Sequence, residues 1–205
     1  MYPNNKAMKK FVLTLATLLV AGSALAQEYP KNILGIRAGM NVSNLRLRLD
    51  NLSESADSRV SFHAGVSDQI LLVANLPLYL ETGLYVTQKG ANIEGLKANP
   101  LYIQIPLLIN YQIHLRDRWS IDPFAGIYYA VGVCGRIKGA SEKADYFGAE
   151  GVADRSDFGL RLGVGVRYGH GYLGLGYEIG LLNTCRVSSL KLRNSCFTLT
   201  LGYTF

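Results

Sequence analysis

The chain has 205 residues, 49% of them hydrophobic, with 22 glycines, three cysteines and a formal charge of +6. This is the length of a single domain, and after Ala26 no apolar run reaches the roughly 18 residues of a membrane-crossing helix, which excludes a helical membrane protein. The positive balance is no nucleic-acid footprint either, because Lys6, Lys9 and Lys10 lie in a segment expected to be removed.

That segment comes first. Met8-Lys9-Lys10 is a positive n-region, Phe11 to Ala21 an apolar stretch too short to span, and Ala24-Leu25-Ala26 a small-x-small cleavage site before Gln27. Residues 1–26 read as a signal peptide for export and residues 27–205 as the mature domain, with no lipobox cysteine at the junction.

The first strand, Ile33 to Ser43, sets Leu34, Ile36, Ala38, Met40 and Val42 against Gly35, Arg37, Gly39, Asn41 and Ser43. Leu45, Leu47 and Leu49 then fall on the other parity, which predicts a bulge and a long loop through the polar tract 51–58. The second strand, from Arg59 to about Leu71, faces Val60, Phe62, Ala64 and Val66 one way and Ser61, His63, Gly65 and Ser67 the other. A turn at Ala74-Asn75 leads into the third, Pro77 to Lys89, with Leu78, Leu80, Thr82, Leu84 and Val86 opposed to Tyr79, Glu81, Gly83, Tyr85 and Thr87.

In the fourth, Leu101 to His114, Ile103, Ile105, Leu107, Ile109 and Tyr111 oppose Tyr102, Gln104, Pro106, Leu108 and Asn110. Proline cannot donate to a ladder, so Pro106 predicts a missing rung or a local bulge. The fifth strand, Ser120 to Ile137, follows the turn Arg116-Asp117-Arg118; its facing is ambiguous because Tyr128 and Tyr129 are adjacent, and Cys134 is expected to pack inside. The sixth, Asp157 to Tyr168, is the clearest: Phe158, Leu160, Leu162, Val164, Val166 and Tyr168 form one stripe, and Asp157, Gly159, Arg161, Gly163, Gly165 and Arg167 the other. After a Gly169-His170-Gly171 turn, the seventh, Tyr172 to Leu182, sets Leu173, Leu175, Tyr177 and Ile179 against Gly174, Gly176, Glu178 and Gly180. The last, Ser195 to Phe205, lines up Phe197, Leu199, Leu201, Tyr203 and Phe205.

A strand needs about 9–11 residues to cross a bilayer at a tilt, and these segments have that length. Long connections, roughly 44–58, 90–100, 138–156 and 183–194, alternate with short ones near 74, 117 and 170. An even strand count with long loops on one side and short turns on the other is the organisation of an eight-stranded antiparallel up-and-down transmembrane β-barrel in the outer membrane. A soluble barrel would reverse the faces, with apolar residues inside.

The inward set then carries Arg37, Glu81, Arg161, Arg167 and Glu178, with Asp122 a further member, and such charges must be paired or hydrated. Across the tight turn, Arg161 falls nearly opposite Glu178, which predicts a lumenal ion pair. Eight strands make a tube about filled by its own side chains, so a plugged lumen is expected over a channel. Tyr111, Trp119, Tyr168, Tyr203 and Phe205 mark the periplasmic girdle, Phe158 and Phe197 the outer one. Cys185 and Cys196 flank the last long loop and either bridge it or stay free thiols.

Gly35-Ile36-Arg37-Ala38-Gly39-Met40-Asn41, Glu81-Thr82-Gly83-Leu84-Tyr85-Val86-Thr87-Gln88-Lys89-Gly90, Ile103-Gln104-Ile105-Pro106-Leu107-Leu108 and the strand from Phe158 to Tyr168, taken in that order, resemble the outer-membrane β-barrel family of Bacteroidetes that includes PorT. The resemblance implies an integral barrel whose wall or loops support secretion or assembly, and it makes the proline of the fourth strand a family feature. The terminal aromatic strand ending in Phe205 resembles the signal read by the barrel-assembly machinery. The expected partners are therefore outer-membrane lipid, that machinery, and a secretion-complex or extracellular protein.

Two other readings stand beside it. A lipid-modifying barrel enzyme needs a His and a Ser presented to the bilayer, yet His63 faces inward with Ser61, His114 sits at a strand end and His170 in a turn. A small pore would need a wider tube. No phosphate loop, metal-ligand spacing or acid pair rises above background, so no catalytic, cofactor or metal residues are assigned.

Overall fold

The computed structural model describes residues 29–49, 52–55, 57–93, 96–115, 118–138, 143–147, 153–182 and 191–205. Eight long strands carry the fold: β1 (Asn32–Leu49), β2 (Asp57–Val73), β3 (Leu76–Gln88), β4 (Leu96–Tyr111), β5 (Trp119–Lys138), β6 (Ser156–Tyr168), β7 (Gly171–Gly180) and β8 (Lys191–Thr204). Each pairs antiparallel with its neighbours in sequence, and β8 returns to β1, so the sheet closes on itself. Four short strands, Leu52–Ser55, Ala91–Ile93, Ile113–His114 and Lys143–Asp145, extend the ladders at the ends. Closure leaves no strand edge, the requirement for backbone that must satisfy every N–H and C=O without water.

The alternation read along β6 is the alternation found. Leu160, Leu162 and Val164 are 42%, 49% and 39% exposed on the outside, whereas Arg161 and Arg167 are 7% and 8% exposed within. The same inversion of a soluble protein runs round the barrel, with Leu34, Ile36, Met40, Phe62, Val66, Leu84, Ile105, Leu107, Leu175 and Leu201 all outside. In β5 the ambiguity resolves as Phe124, Tyr128 and Ala130 inward and Ile127, Tyr129 and Val131 outward.

At Pro106 the expected missing rung is present. The β3–β4 ladder pairs Thr82 with Leu107 and Tyr85 with Gln104 but skips the two rungs between, and the register is unchanged across the gap. The register shift of β4 lies instead against β5, between Leu101 and Tyr102. It turns Cys134 outward to an exposed position, which corrects the expectation that this thiol packs inside.

The bulge expected after Ser43 is absent. β1 stays in register with β8 from Gly35 through Arg48, so the change of parity at Leu45 is a change of polarity along a continuous strand. The long connections are accordingly shorter than read: Ala91–Ile93 pairs with β4, and Leu52–Ser55 folds back on β1.

The short turns gather at one end. Gly169 holds φ at +55°, a left-handed conformation that glycine adopts without the Cβ penalty, and the Thr204 amide donates to the His170 carbonyl at 2.8 Å, tying the chain end to that turn. Aromatic rings collect there, Trp119 against Tyr168 at 4.7 Å and Tyr203 against Phe205 at 5.4 Å. At the other end Phe197 is exposed outside and Tyr129 reaches the Ser156 hydroxyl at 3.3 Å.

Inward glycines let neighbouring rings into the tube. A Cβ on Gly163 would be driven into the Leu175 carbonyl oxygen and the Phe124 ring. Gly163→Ala is therefore expected to cost about 1–3 kcal/mol as overpacking, read by guanidinium unfolding of the barrel refolded in lipid vesicles; an unchanged midpoint would mean the wall is looser than described.

Candidate functional site

Among the described residues the interior concentrates charge, and the alternation of the strands is what puts it there. Among the described residues the buried ionic groups are Arg37, Lys89, Arg161 and Arg167 against Glu81, Asp122, Asp157 and Glu178, four of each sign. A neutral sum is what a narrow, low-dielectric tube demands.

The groups divide into two carboxylate-centred clusters. Toward the periplasmic end, Glu81 receives both terminal nitrogens of Arg37, one of them at 3.0 Å, together with Gln69 Nε2 at 2.7 Å and Asn110 Nδ2 at 2.6 Å. The Arg37 guanidinium lies 4.0 Å from the centre of the Tyr172 ring, a stacked cation–π arrangement. Arg167 bridges to this cluster by donating to Gln69 Oε1 at 2.9 Å and to Asp122 Oδ2 at 2.8 Å, and Ser120 holds the other Asp122 oxygen.

Toward the outer end, Glu178 sits between two cations, Lys89 at 3.0 Å and Arg161 at 3.3 Å, and accepts from Gln104 Nε2 at 2.7 Å. Lys89 also reaches Asp157 at 3.1 Å and lies 4.1 Å over the Tyr128 ring. The pair read across the turn is thus formed, with Arg161 and Glu178 directly opposed in the β6–β7 ladder. Asp122 joins the inward set as expected.

Between the clusters His63 is held by neutral partners. Asn41 Nδ2 donates to Thr87 Oγ1 at 2.9 Å, so Asn41 Oδ1 is free to accept from His63 Nδ1 at 2.7 Å. That fixes the Nδ1–H tautomer and leaves Nε2 to accept from the Thr200 hydroxyl at 3.0 Å. The ring is committed on both nitrogens to structural partners. His114 lies exposed at the end of the short strand after β4, and His170 is in the turn with Nδ1 2.7 Å from the Thr204 carbonyl.

A cavity of about 10 Å³ remains beside His63, Gln104, Arg161 and Thr198, room for roughly one water. Around these described residues the lumen is packed, as the strand number led one to expect. A planar-bilayer recording of the purified barrel should accordingly show no steps above membrane leak; discrete ionic conductance would contradict the packing.

Two features escaped the sequence reading. Lys89 was taken as the end of a strand, although it continues the inward parity of Glu81, Tyr85 and Thr87 and would have been found by extending it two residues. The other is a cap: Tyr146 and Phe147, from the tract read as a polar loop, return over the outer mouth and pack with Ala98, Tyr102, Tyr128, Ala130 and Ala153. Phe147 meets Tyr102 edge-on at 5.5 Å and fills the space that Gly132 leaves. The adjacent aromatic pair inside a polar stretch was the available signal. Cys196 is buried, its thiol 3.6 Å from the Phe197 carbonyl oxygen, whereas Cys185, the signal segment 1–26 and positions 51 and 56 of the tract 51–58 lie outside the described residues.

A closed antiparallel tube with an apolar exterior, aromatic girdles and an ionic, filled interior defines an integral β-barrel of the outer-membrane class. The chain belongs to the family described as "Outer membrane protein beta-barrel domain", whose model matches residues 12–205. No curated protein matches its sequence. Solved structures of similar shape include Ail, the attachment invasion locus protein of Yersinia pestis, with 13% identity over 86% of this chain and 100% of that one at a TM-score of 0.48. Neisserial surface protein A gives 10% identity over 86% and 98% at 0.47, and OprG from Pseudomonas aeruginosa 13% over 87% and 98% at 0.47.

Proposed function

We propose that the protein, after removal of residues 1–26, is a non-enzymatic outer-membrane barrel that acts through its exterior, its wall or surface segments contacting an extracellular protein or supporting a secretion or assembly complex of the kind the PorT resemblance suggests. The observation that carries this reading is the charge-balanced packing of the described interior, where the space beside His63 and Gln104 takes about one water. What is left to act is outside. The β5–β6 connection supports the same view, since Tyr146 and Phe147 anchor it across the mouth.

The test is affinity capture from detergent-solubilised outer membranes, comparing the intact chain with one lacking 138–156. Proteins retained by the first and lost by the second support the proposal. Identical captures, or hydrolysis of lipid by the purified barrel, would replace it. Assembly is proposed to depend on β8, so deleting Phe205 should lower the yield of inserted barrel in cells by several-fold, read by heat-modifiable migration on gels.

A further inference from the structure

Among the described outward positions of the eight strands between the two girdles, one residue carries a charge, Asp68 of β2. Its neighbours fix the facing, since Ser67 and Gln69 are buried in the lumen while Val66 and Ile70 are exposed outside. The carboxylate receives a hydrogen bond from Asn32 Nδ2 to Oδ2 at 3.3 Å, and Oδ1 lies against the wall with no partner. The ion pairs among the described residues are all inside the tube, and none includes Asp68. An ionisable group on a membrane-facing wall is costly, and it implies a partner of opposite charge.

A groove lies above it on the same face. About 500 Å³ of space opens where β1 runs between β2 and β8, lined by Ile36, Ala38, Ala64, Leu201 and Tyr203 among others. Ala38 and Ala64 pair across the ladder, and two methyl groups side by side among longer neighbours leave the depression. The space is exterior, because Glu81 and Tyr172, which pack on Arg37 inside the tube, do not line it. Ile36 stands at its periplasmic side, on one rung with the girdle residue Tyr203 and with Val66, and the next outward rung is Leu34 with Asp68. Along β2, Asp68 follows Ala64 by four residues, roughly 13 Å of strand.

We propose that this face holds a phospholipid of the periplasmic leaflet that carries a primary ammonium headgroup, with the ammonium on Asp68 and an acyl chain in the groove above. Charge complementarity selects the headgroup. A carboxylate only accepts hydrogen bonds, so a primary ammonium both neutralises it and donates to it, whereas a quaternary ammonium has no N–H to give. The groove selects a lipid over the lysine of a protein partner, because a lysine needs the acid alone. Here an apolar trough runs from the acid toward the middle of the wall, the direction an acyl chain takes from its headgroup. This inference rests on the outer-membrane placement and adds the chemistry of one partner of the wall to it.

The test refolds the mature chain in detergent micelles and adds phosphatidylethanolamine, phosphatidylcholine and phosphatidylglycerol of identical acyl chains in equal amounts, with native mass spectrometry counting the lipid retained. Phosphatidylethanolamine should be retained over each of the others by at least about fivefold, the size of one modest hydrogen bond. Asp68→Asn keeps the side chain's shape and should abolish that preference. Ala64→Leu fills the groove at a position where the wall already accepts leucine, and it should lower retention of phosphatidylethanolamine while leaving the carboxylate in place. Equal retention of the three lipids would leave this face to a protein partner and overturn the proposal. A preference that survives Asp68→Asn, or retention untouched by Ala64→Leu, would overturn it as well. Failure of the unaltered chain to fold in detergent or to insert into lipid vesicles would instead strike the membrane placement itself.

Discussion

Glu178→Gln is expected to lower the stability of the folded barrel by about 3–5 kcal/mol, the usual cost of stranding a buried charge. The substitution keeps the side chain's shape and removes only its charge. Lys89 retains Asp157 at 3.1 Å, but Arg161, 3.3 Å from Glu178, loses its carboxylate inside a tube that is too full to hydrate it. Adding Arg161→Met to the same chain should recover at least half of the loss, because the pair is then removed whole and the Lys89–Asp157 bridge is untouched. Guanidinium unfolding of the four chains of this double-mutant cycle in lipid vesicles reads the coupling directly. A single variant as stable as the parent, or a double variant no better than Glu178→Gln alone, would show that the outer cluster does not act as a balanced unit.

The second large effect lies on the opposite face of the neighbouring residue. Leu162 is the central residue of β6 and is half exposed outside the wall. Leu162→Arg puts a guanidinium at the bilayer midplane and is expected to cost about 2–4 kcal/mol, whereas Tyr168→Arg at the rim should cost about 0–1 kcal/mol. The depth dependence is the informative part. A barrel bathed in water would accept arginine at either position with small and equal effects, so equal costs at the two heights would contradict a lipid-facing wall.

The fold was legible because a membrane barrel writes its geometry into every second residue. In β6 and β7 the two stripes are clean, and they gave the facing, the turn and the Arg161–Glu178 pair without coordinates. β5 was harder, since a tube of eight strands takes Phe124 and Tyr128 inside while lipid takes Ile127 and Tyr129 outside, and aromatic and aliphatic residues alone do not tell these environments apart. The polarity change at Leu45 was misread as a bulge for a physical reason. Once β1 leaves the hydrocarbon, the outside faces water and headgroups, so apolar residues on the inward parity become the favourable choice, and a parity switch no longer signals an extra residue. Cys134 was misplaced because β5 carries an extra residue, Val133, opposite the consecutive Leu101 and Tyr102 of the adjacent β4, and this bulge, which flips the parity beyond it, has no mark of its own in the alternation. The partnership of Lys89 with Asp157 joins residues 68 apart and depends on shear between β3 and β6, which no local pattern encodes.

The central claim is that hydrocarbon touches the apolar stripe while the glycines and ions look into the tube. It is tested most directly by placing Leu162→Trp in a Trp119→Phe background, so that the chain's single tryptophan moves to mid-wall. The barrel is then inserted in vesicles whose lipids carry bromine at the middle of the acyl chain. The account predicts strong quenching by that lipid, a blue-shifted emission and no response to aqueous iodide. Emission quenched by iodide and indifferent to brominated lipid would mean that this face meets water, and the outer-membrane barrel would have to be abandoned.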